Sequence, residues 1–256
     1  MGGMASAATT QHGLIGFFDI LGYGRFLENN SAADAALVVV NVLQNLPTEI
    51  RSIVCEQAKD ENRTIPDELL KDLRWLVFSD SILLTLPYTP QDGATENVWP
   101  WLAFLSHAQL LHKHLFNKGL PIRGAITVGE YFVQEACFAG RGIVDAYKDS
   151  QSLDLSAVVI SLGAISELDT VLETGYPMSV RAFTADYLTP LRGGTESQRR
   201  VVKIDATLLE ASDLRQHVFE SFTRHKKDLP ANALSKLTNT ELLFRFCRSR
   251  TGESSS

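Results

Sequence analysis

Cysteine is scarce in this chain of 256 residues, and cations are outnumbered. The cysteines, Cys55, Cys137 and Cys247, are three and lie far apart, which excludes a disulfide framework and any CxxC-type zinc site. A reducing cytoplasm is the expected compartment. Lys and Arg total 24 against 30 Asp and Glu, a formal net charge of −6, which argues against a partner held by neutralising the phosphates of a nucleic-acid duplex. Local basic groups still leave anionic small molecules as partners. No run approaches the roughly 18 to 20 apolar residues of a membrane span, so no membrane partner is expected. The opening "MGGMASAATTQHG" lacks the basic and apolar regions of a secretory signal. What remains is ordinary: 45% hydrophobic and 21% charged residues, enough for a sizeable core.

Residues 1–12 and 251–256 read as disordered tails, 13–211 as one catalytic-sized domain and 212–250 as a helical extension. A strand is expected around Leu14 to Leu21, after which Ser31 caps a helix that Pro47 ends or kinks. The polar stretch "CEQAKDENRTIPDE" reads as a loop or a mobile helix end. "DLRWLVFSDSILLTLP" predicts a hairpin with Asp80 at its tip. A long amphipathic helix follows, stopped by Gly119, and then a second hairpin in "PIRGAITVGEYFVQ" bending near Gly129-Glu130. "GRGIVDAYKDSQ" reads as a glycine-initiated helix, "SAVVISLGAI" as a buried strand and short helix, and "RRVVKIDAT" as a late strand. The pattern from Ser212 to Arg250 is helical, broken near Pro230. The order predicts an α+β fold, a βαββαβ ferredoxin-like, palm-type core whose mostly antiparallel sheet carries additional strands and C-terminal helices, with helices packed on one face.

Within the first strand, "GFFDILGYG" places one acid, Asp19, among Phe17, Phe18, Ile20 and Leu21, where an unpaired carboxylate costs several kcal/mol. It either caps the turn, pairs with an arginine such as Arg25, or binds a cation. In a βαββ arrangement Asp80 lies on an adjacent strand and converges on the same point, although Asp is also a common turn residue. Hard oxygen ligands of this kind suit Mg²⁺ or Mn²⁺. The spacing of His107, His112 and His114 does not put them on one helix face, so zinc is not expected there. No nucleophile elbow is present.

These segments resemble class III nucleotidyl cyclases. "FFDILGYG" is similar to their first metal motif, aromatic-x-D-I-x-G-[FY], and "VFSDSILL" to the second, with Ser79 in place of glycine. "IRGAITVGEYF" resembles the family's R-x-G-I-x-x-G-x strand hairpin, and "GRGIVDAYK" its G-x-x-V-N-x-A-x-R helix. The match runs from Leu14 to Gln151 in the family's order. It implies that Asp19, the Ile20 carbonyl and Asp80 bind two Mg²⁺ or Mn²⁺ ions, and that amides of Gly22, Tyr23 and Gly24 approach a triphosphate. The implied reaction yields a 3′,5′-cyclic nucleotide and pyrophosphate in a homodimer, with metal ligands from one subunit and base and transition-state groups from the other.

Departures from the family refine the expectation. Leu76 and Cys137 occupy the two adenine-reading positions. Val144 and Lys148 stand for the transition-state asparagine and arginine, leaving Lys148 as the expected cation, with Arg141 or Asp145 in other roles. Arg123 either bridges across the sheet or contacts phosphate. Arg199, Arg200 and Lys203 either bind triphosphate or protect an edge strand. The pattern is similar to the pyrimidine cyclases of bacterial Pycsar antiphage systems, which implies UTP or CTP as substrate and a cyclic nucleotide (cUMP favoured over cCMP) signalling to a downstream effector. A cyclase-fold binding module without catalysis, or a purine cyclase, is the alternative.

Overall fold

The computed structural model describes residues 10–60, 67–89, 97–134, 137–173 and 177–251. The first strand, β1 (Thr10–Ile20), leads through Gly22 into α1 (Tyr23–Asn29) and α2 (Ala32–Val39), whose cap is Ser31, its side chain accepting from the Asp34 amide. A π-helical segment, Val40–Gln44, connects to α3 (Leu46–Asp60). Pro47 therefore opens a new helix, in the first turn where its missing N–H is harmless. After α4 (Asp67–Asp72), β2 (Arg74–Phe78) and β3 (Ser81–Pro87) form the expected hairpin, with Phe78 opposite Ser81 and Ser79 at φ 56° in the turn.

The long helix α5 (Val98–Asn117) is buried around most of its circumference and stops at Gly119, φ 75°. Next, β4 (Ile122–Gln134) runs straight through Gly129 and Glu130, so the expected bend there is absent, and β5 (Cys137–Ala139) pairs antiparallel with the end of β4, Gln134 opposite Cys137. β4 stays extended because β1, reaching back to Thr10, pairs with it as far as Phe132. Residues 10–12 thus belong to the sheet and not to a tail. Then come α6 (Arg141–Ser152), β6 (Val158–Ile160), α7 (Leu162–Glu173), α8 (Pro177–Phe183), β7 (Thr184–Leu191) and β8 (Thr195–Val202). β7 was not among the expected elements; it is an edge strand, where its Pro190 is tolerated. The chain ends in α9 (Ala206–Leu209), α10 (Leu214–Thr223) and α11 (Ala231–Thr251).

The fold is α+β. The strand order is β2-β3-β1-β4-β6-β8-β7, with β5 on β4. Its first four strands are antiparallel neighbours in the βαββαβ order, and β6 joins β4 in parallel. Helices cover both faces, not one. One face buries Leu14, Phe18 and Ile20 of β1 against Leu43, Ile50, Trp101, Phe104 and Leu168 from the helices of its side. The other face presents Ala125, Val159, Val201 and Ala185, which need their own cover, and Leu208, Val218, Phe222, Leu243 and Phe244 of α9 to α11 supply it. Among the described residues no helix is long and apolar enough to cross a membrane.

Candidate functional site

Asp19 is the penultimate residue of β1, and alternation puts it on the face opposite Phe18 and Ile20. Its register partners are Ser81 on β3 and Arg123 on β4. Arg123 lies directly across the sheet and donates from Nε and Nη2 to Asp19 Oδ2, at 2.9 and 2.7 Å. Gln151, from α6, accepts a further hydrogen bond from Arg123 Nη2. The partner that makes this carboxylate tolerable is therefore Arg123, whereas Arg25 pairs with Glu28. Metal is not needed to account for the acid. Arg123 is only 5% exposed. Burial pulls its pKa down, and the Asp19 charge opposes that pull.

Asp80 reaches the same place by a different route. The β2–β3 turn lies against the end of β1, its Asp80 carbonyl accepting from the Ile20 amide at 2.9 Å. Asp19, Ile20 and Asp80 line one open cleft of about 880 Å³ with Gly22, Tyr23 and Gly24. Gly22 needs its φ of 76°, which an L side chain adopts at a cost, to turn the chain from β1 into α1. At Gly24 a Cβ would meet nothing within 4 Å, so the backbone there is open to a ligand. The Tyr23 phenol is pushed up by burial, with the Asp80 charge adding to it.

The donor set fits a hard divalent cation. Both Arg123 hydrogen bonds fall on Oδ2, and among the described residues none falls on Asp19 Oδ1 or on the Asp80 carboxylate. Two carboxylates and the Ile20 carbonyl offer oxygen only, which suits Mg²⁺ or Mn²⁺. Among the described residues no group of three or more His, Cys, Asp or Glu is placed to hold an ion. Water and substrate phosphates would fill the remaining positions, as Mg²⁺ prefers.

Other expected residues lie outside the cleft. Lys148 is exposed on α6, one residue beyond Tyr147, which does line the cleft and packs edge-on against Phe17 with ring centroids 5.3 Å apart. Arg141 is 95% exposed and lies 3.9 Å from Asp145. Cys137 is exposed on β5, and Leu76 packs on β2 against the cluster of Ile15, Leu83 and Tyr131. Within one chain these four do not meet Asp19. Arg200 is tied to Asp186 and Asp169, at 2.7 and 3.0 Å, and lines a separate cleft with Lys203. His107, His112 and His114 are three separate contacts, made to the Ala103 carbonyl, the Ser156 hydroxyl and Glu49.

Sequence reasoning missed the wall opposite the carboxylates. Gln151, Arg192, Lys227, Asp228 and Lys236 line the cleft from α6, the β7–β8 turn, the junction between α10 and α11, and α11 itself. The junction is bonded to α1: Asn29 donates to the Lys226 carbonyl and Asp228 Oδ2, and Asn30 to the His225 carbonyl. The buried Lys227 donates to the carbonyls of Gly119 and Ser221, at 2.7 and 3.3 Å. Burial, with Arg224 adding, pushes its pKa down to about 7.

No family model matches the chain, and no curated protein matches it. Solved structures similar to it include the catalytic core of a rhodopsin-guanylyl cyclase with converted specificity in complex with ATPαS, at 14% identity and TM-score 0.46 over 77% of this chain and 98% of that one. The guanylate cyclase domain of RhGC from Catenaria anguillulae in complex with GTP gives 13% identity and TM-score 0.45 over 77% of this chain and 99% of that one. A class III adenylyl cyclase-like ATP-binding protein from Pseudomonas aeruginosa gives 16% identity and TM-score 0.46, covering 68% of this chain and 39% of that one. At identities and TM-scores this low, the function rests on the chemistry of the cleft.

Proposed function

We propose that this protein is a metal-dependent nucleotide cyclase acting on a pyrimidine nucleoside triphosphate, UTP favoured over CTP. The observation that carries the reading is the convergence of Asp19 and Asp80, from β1 and the β2–β3 turn, on one cleft beside the open backbone of Gly24. In the proposed reaction the ribose 3′-oxygen forms a bond to the α-phosphorus, the bond from that phosphorus to the bridging oxygen breaks, the hydroxyl proton is lost and pyrophosphate leaves. Bound Mg²⁺ or Mn²⁺, two ions per site, would polarise the phosphates and acidify the hydroxyl. Asp19 and Asp80 would hold the ions, Arg123 would fix the orientation of the Asp19 carboxylate through Oδ2, and Gly22 to Gly24 would admit the phosphates.

Lys148, Arg141, Leu76 and Cys137 would act on the nucleotide of a second copy. Phe78 is 74% exposed, and Val144 and Tyr147 are each 48% exposed, an apolar set such a homodimer would cover. The pyrimidine preference rests on Leu76 and Cys137 at the adenine-reading positions of the family that the sequence resembles. An antiphage signal, read in the cytoplasm by a separate effector, is the corresponding biological role. A second reading has its own observation: the Asp19–Arg123 pair is complete without metal, as in a binding module that does no chemistry. Incubating the protein with each of the four NTPs and Mn²⁺ and resolving the products separates the two. Cyclic UMP or cyclic CMP supports the cyclase, cyclic AMP alone overturns the pyrimidine assignment, and no cyclic product from any NTP overturns the enzyme.

A further inference from the structure

Two consecutive residues of the α10–α11 junction, His225 at φ 62° and Lys226 at φ 57°, lie in the left-handed region without being glycine. That conformation is costly for an L side chain and persists only where the surroundings enforce it. The junction is gripped from two sides. Four successive carbonyls at the C-terminal end of α5 accept side-chain hydrogen bonds from one short stretch: Phe116 from Ser221 at 2.8 Å, Asn117 from Arg224, Lys118 from His225 Nε2 at 2.7 Å, and Gly119 from Lys227. On the α1 side, the carbonyls of the two left-handed residues accept from Asn30 and Asn29, at 2.7 and 2.8 Å. Asn29 also donates to Asp228 Oδ2, and the rings of Phe26 and His225 meet edge-on with centroids 5.7 Å apart. Nearly all of these contacts are polar, and Arg224, Lys226 and Asp228 are exposed, so water can replace much of what holds the stretch down. The helices on either side are held differently, by burial of Val218, Phe222, Leu237 and Phe244 against the second face of the sheet. A strained segment fastened by hydrogen bonds between two helices fastened by apolar burial opens on its own, at less cost than unfolding the domain.

We propose that residues 224–228 form a strained strap that closes one wall of the cleft, and that Asn29 and Asn30 are positioning residues through which the strap holds α1. Lys227 and Asp228 line the cleft from the strap, and Gly22, Tyr23 and Gly24 line it where β1 turns into α1. Release of the strap therefore loosens both walls together, and the left-handed pair His225 and Lys226 makes release easier. That the backbone so positioned serves a nucleotide rests on the cyclase reading above; the strap itself does not.

Hydrogen exchange of the full chain, followed by mass spectrometry without metal or nucleotide, tests the strap. In wild type, amides of the strap and of α1 should exchange together and at least about tenfold faster than those of β4. Asn30→Ala should speed exchange in both segments by about tenfold, as expected for one lost hydrogen-bonded contact, and leave β4 unchanged. Lys226→Gly removes strain and keeps the carbonyl that Asn29 holds, and the exposed Lys226 side chain makes no hydrogen bond or ion pair among the described residues. It should slow exchange in the strap, raise the melting temperature and, combined with Asn30→Ala, bring both segments back toward wild type. A strap that exchanges only as slowly as β4, an Asn30→Ala protein whose strap exchanges faster with α1 unmoved, or a Lys226→Gly strap that exchanges no slower overturns the proposal. With Mn²⁺, Asn30→Ala should also raise KM for the cyclised NTP and the double variant should restore it; an unmoved KM overturns the positioning role. The expected exchange pattern with no NTP cyclised upholds the strap and overturns the cyclase.

Discussion

Replacing Arg123 by Met separates the structural role of Asp19 from its proposed chemical one. The substitution keeps the apolar stem and removes both hydrogen bonds to Asp19 Oδ2 and the one to Gln151. Removing one member of a buried pair costs about 3–5 kcal/mol, because the other charge stays behind. Asp19 keeps 14% of its side-chain surface and lines an open cleft, so water reaches it and the lower end, about 3 kcal/mol, applies. At about 2–4 °C per kcal/mol for a chain of this size, the melting temperature should fall by roughly 6–12 °C. The double variant Asp19→Asn/Arg123→Met should lose less than the sum of the single variants by at least ~1 kcal/mol. Mn²⁺ adds the deciding arm. If Asp19 and Asp80 bind it, Mn²⁺ at about 100 times its Kd should return close to 2.7 kcal/mol to Arg123→Met, and much less to the double variant. Thermal denaturation by circular dichroism reads all three. A loss below about 1 kcal/mol with additive single variants would refute the pairing, and an Arg123→Met protein indifferent to Mn²⁺ would refute the metal role.

Three further predictions concern the helix beneath the sheet and the mouth of the cleft. Burial lowers the pKa values of His107 and His112 from 6.5 to about 4. The unfolded chain therefore binds more protons between pH 4 and 6.5, and stability should be lost as pH falls through that window, by about 3 kcal/mol for each histidine. His107→Gln should shed about half of this acid slope in urea titrations at several pH values, and an unchanged slope would contradict the burial argument. Gly22→Ala should cost about 1–2 kcal/mol from its positive φ, with nothing but ordinary contact to Lys227 at 3.4 Å. Gly24→Ala should leave melting unchanged, since its Cβ meets no atom, but raise KM for the NTP by placing a methyl over the phosphate path; an unaltered KM would place the phosphates elsewhere.

The two acids were legible from the sequence because each sits at a local signal. Asp19 interrupts an apolar strand just before two glycines, and Asp80 occupies a two-residue turn between β-rich runs. Their convergence followed from the βαββ order. The partner of Asp19 was open because it depends on register: only the pairing of β1 with β4 sets Arg123, 104 residues away, opposite the acid. Arg192 and Lys227 were illegible for the same reason, made stronger. Arg192 is a lone cation in a turn and Lys227 the last of a short basic run, and only the packing of α9 to α11 on the second face of the sheet brings the Lys227 segment to α1. The bend expected at Gly129-Glu130 failed because glycine in a strand also marks close approach, and partner strands outweighed local preference.

Because Arg123 leans on Asp19, substitution of Asp19 confounds folding with chemistry, and Asp80 is the cleaner probe. The most direct measurement is the product balance of wild type and Asp80→Asn with UTP and CTP in Mn²⁺, taken beside their melting curves. The account predicts cyclic nucleotide and pyrophosphate in equal amounts from wild type, and neither from Asp80→Asn at an unchanged melting temperature. Cyclic product formed undiminished by Asp80→Asn, or by neither protein, would contradict it.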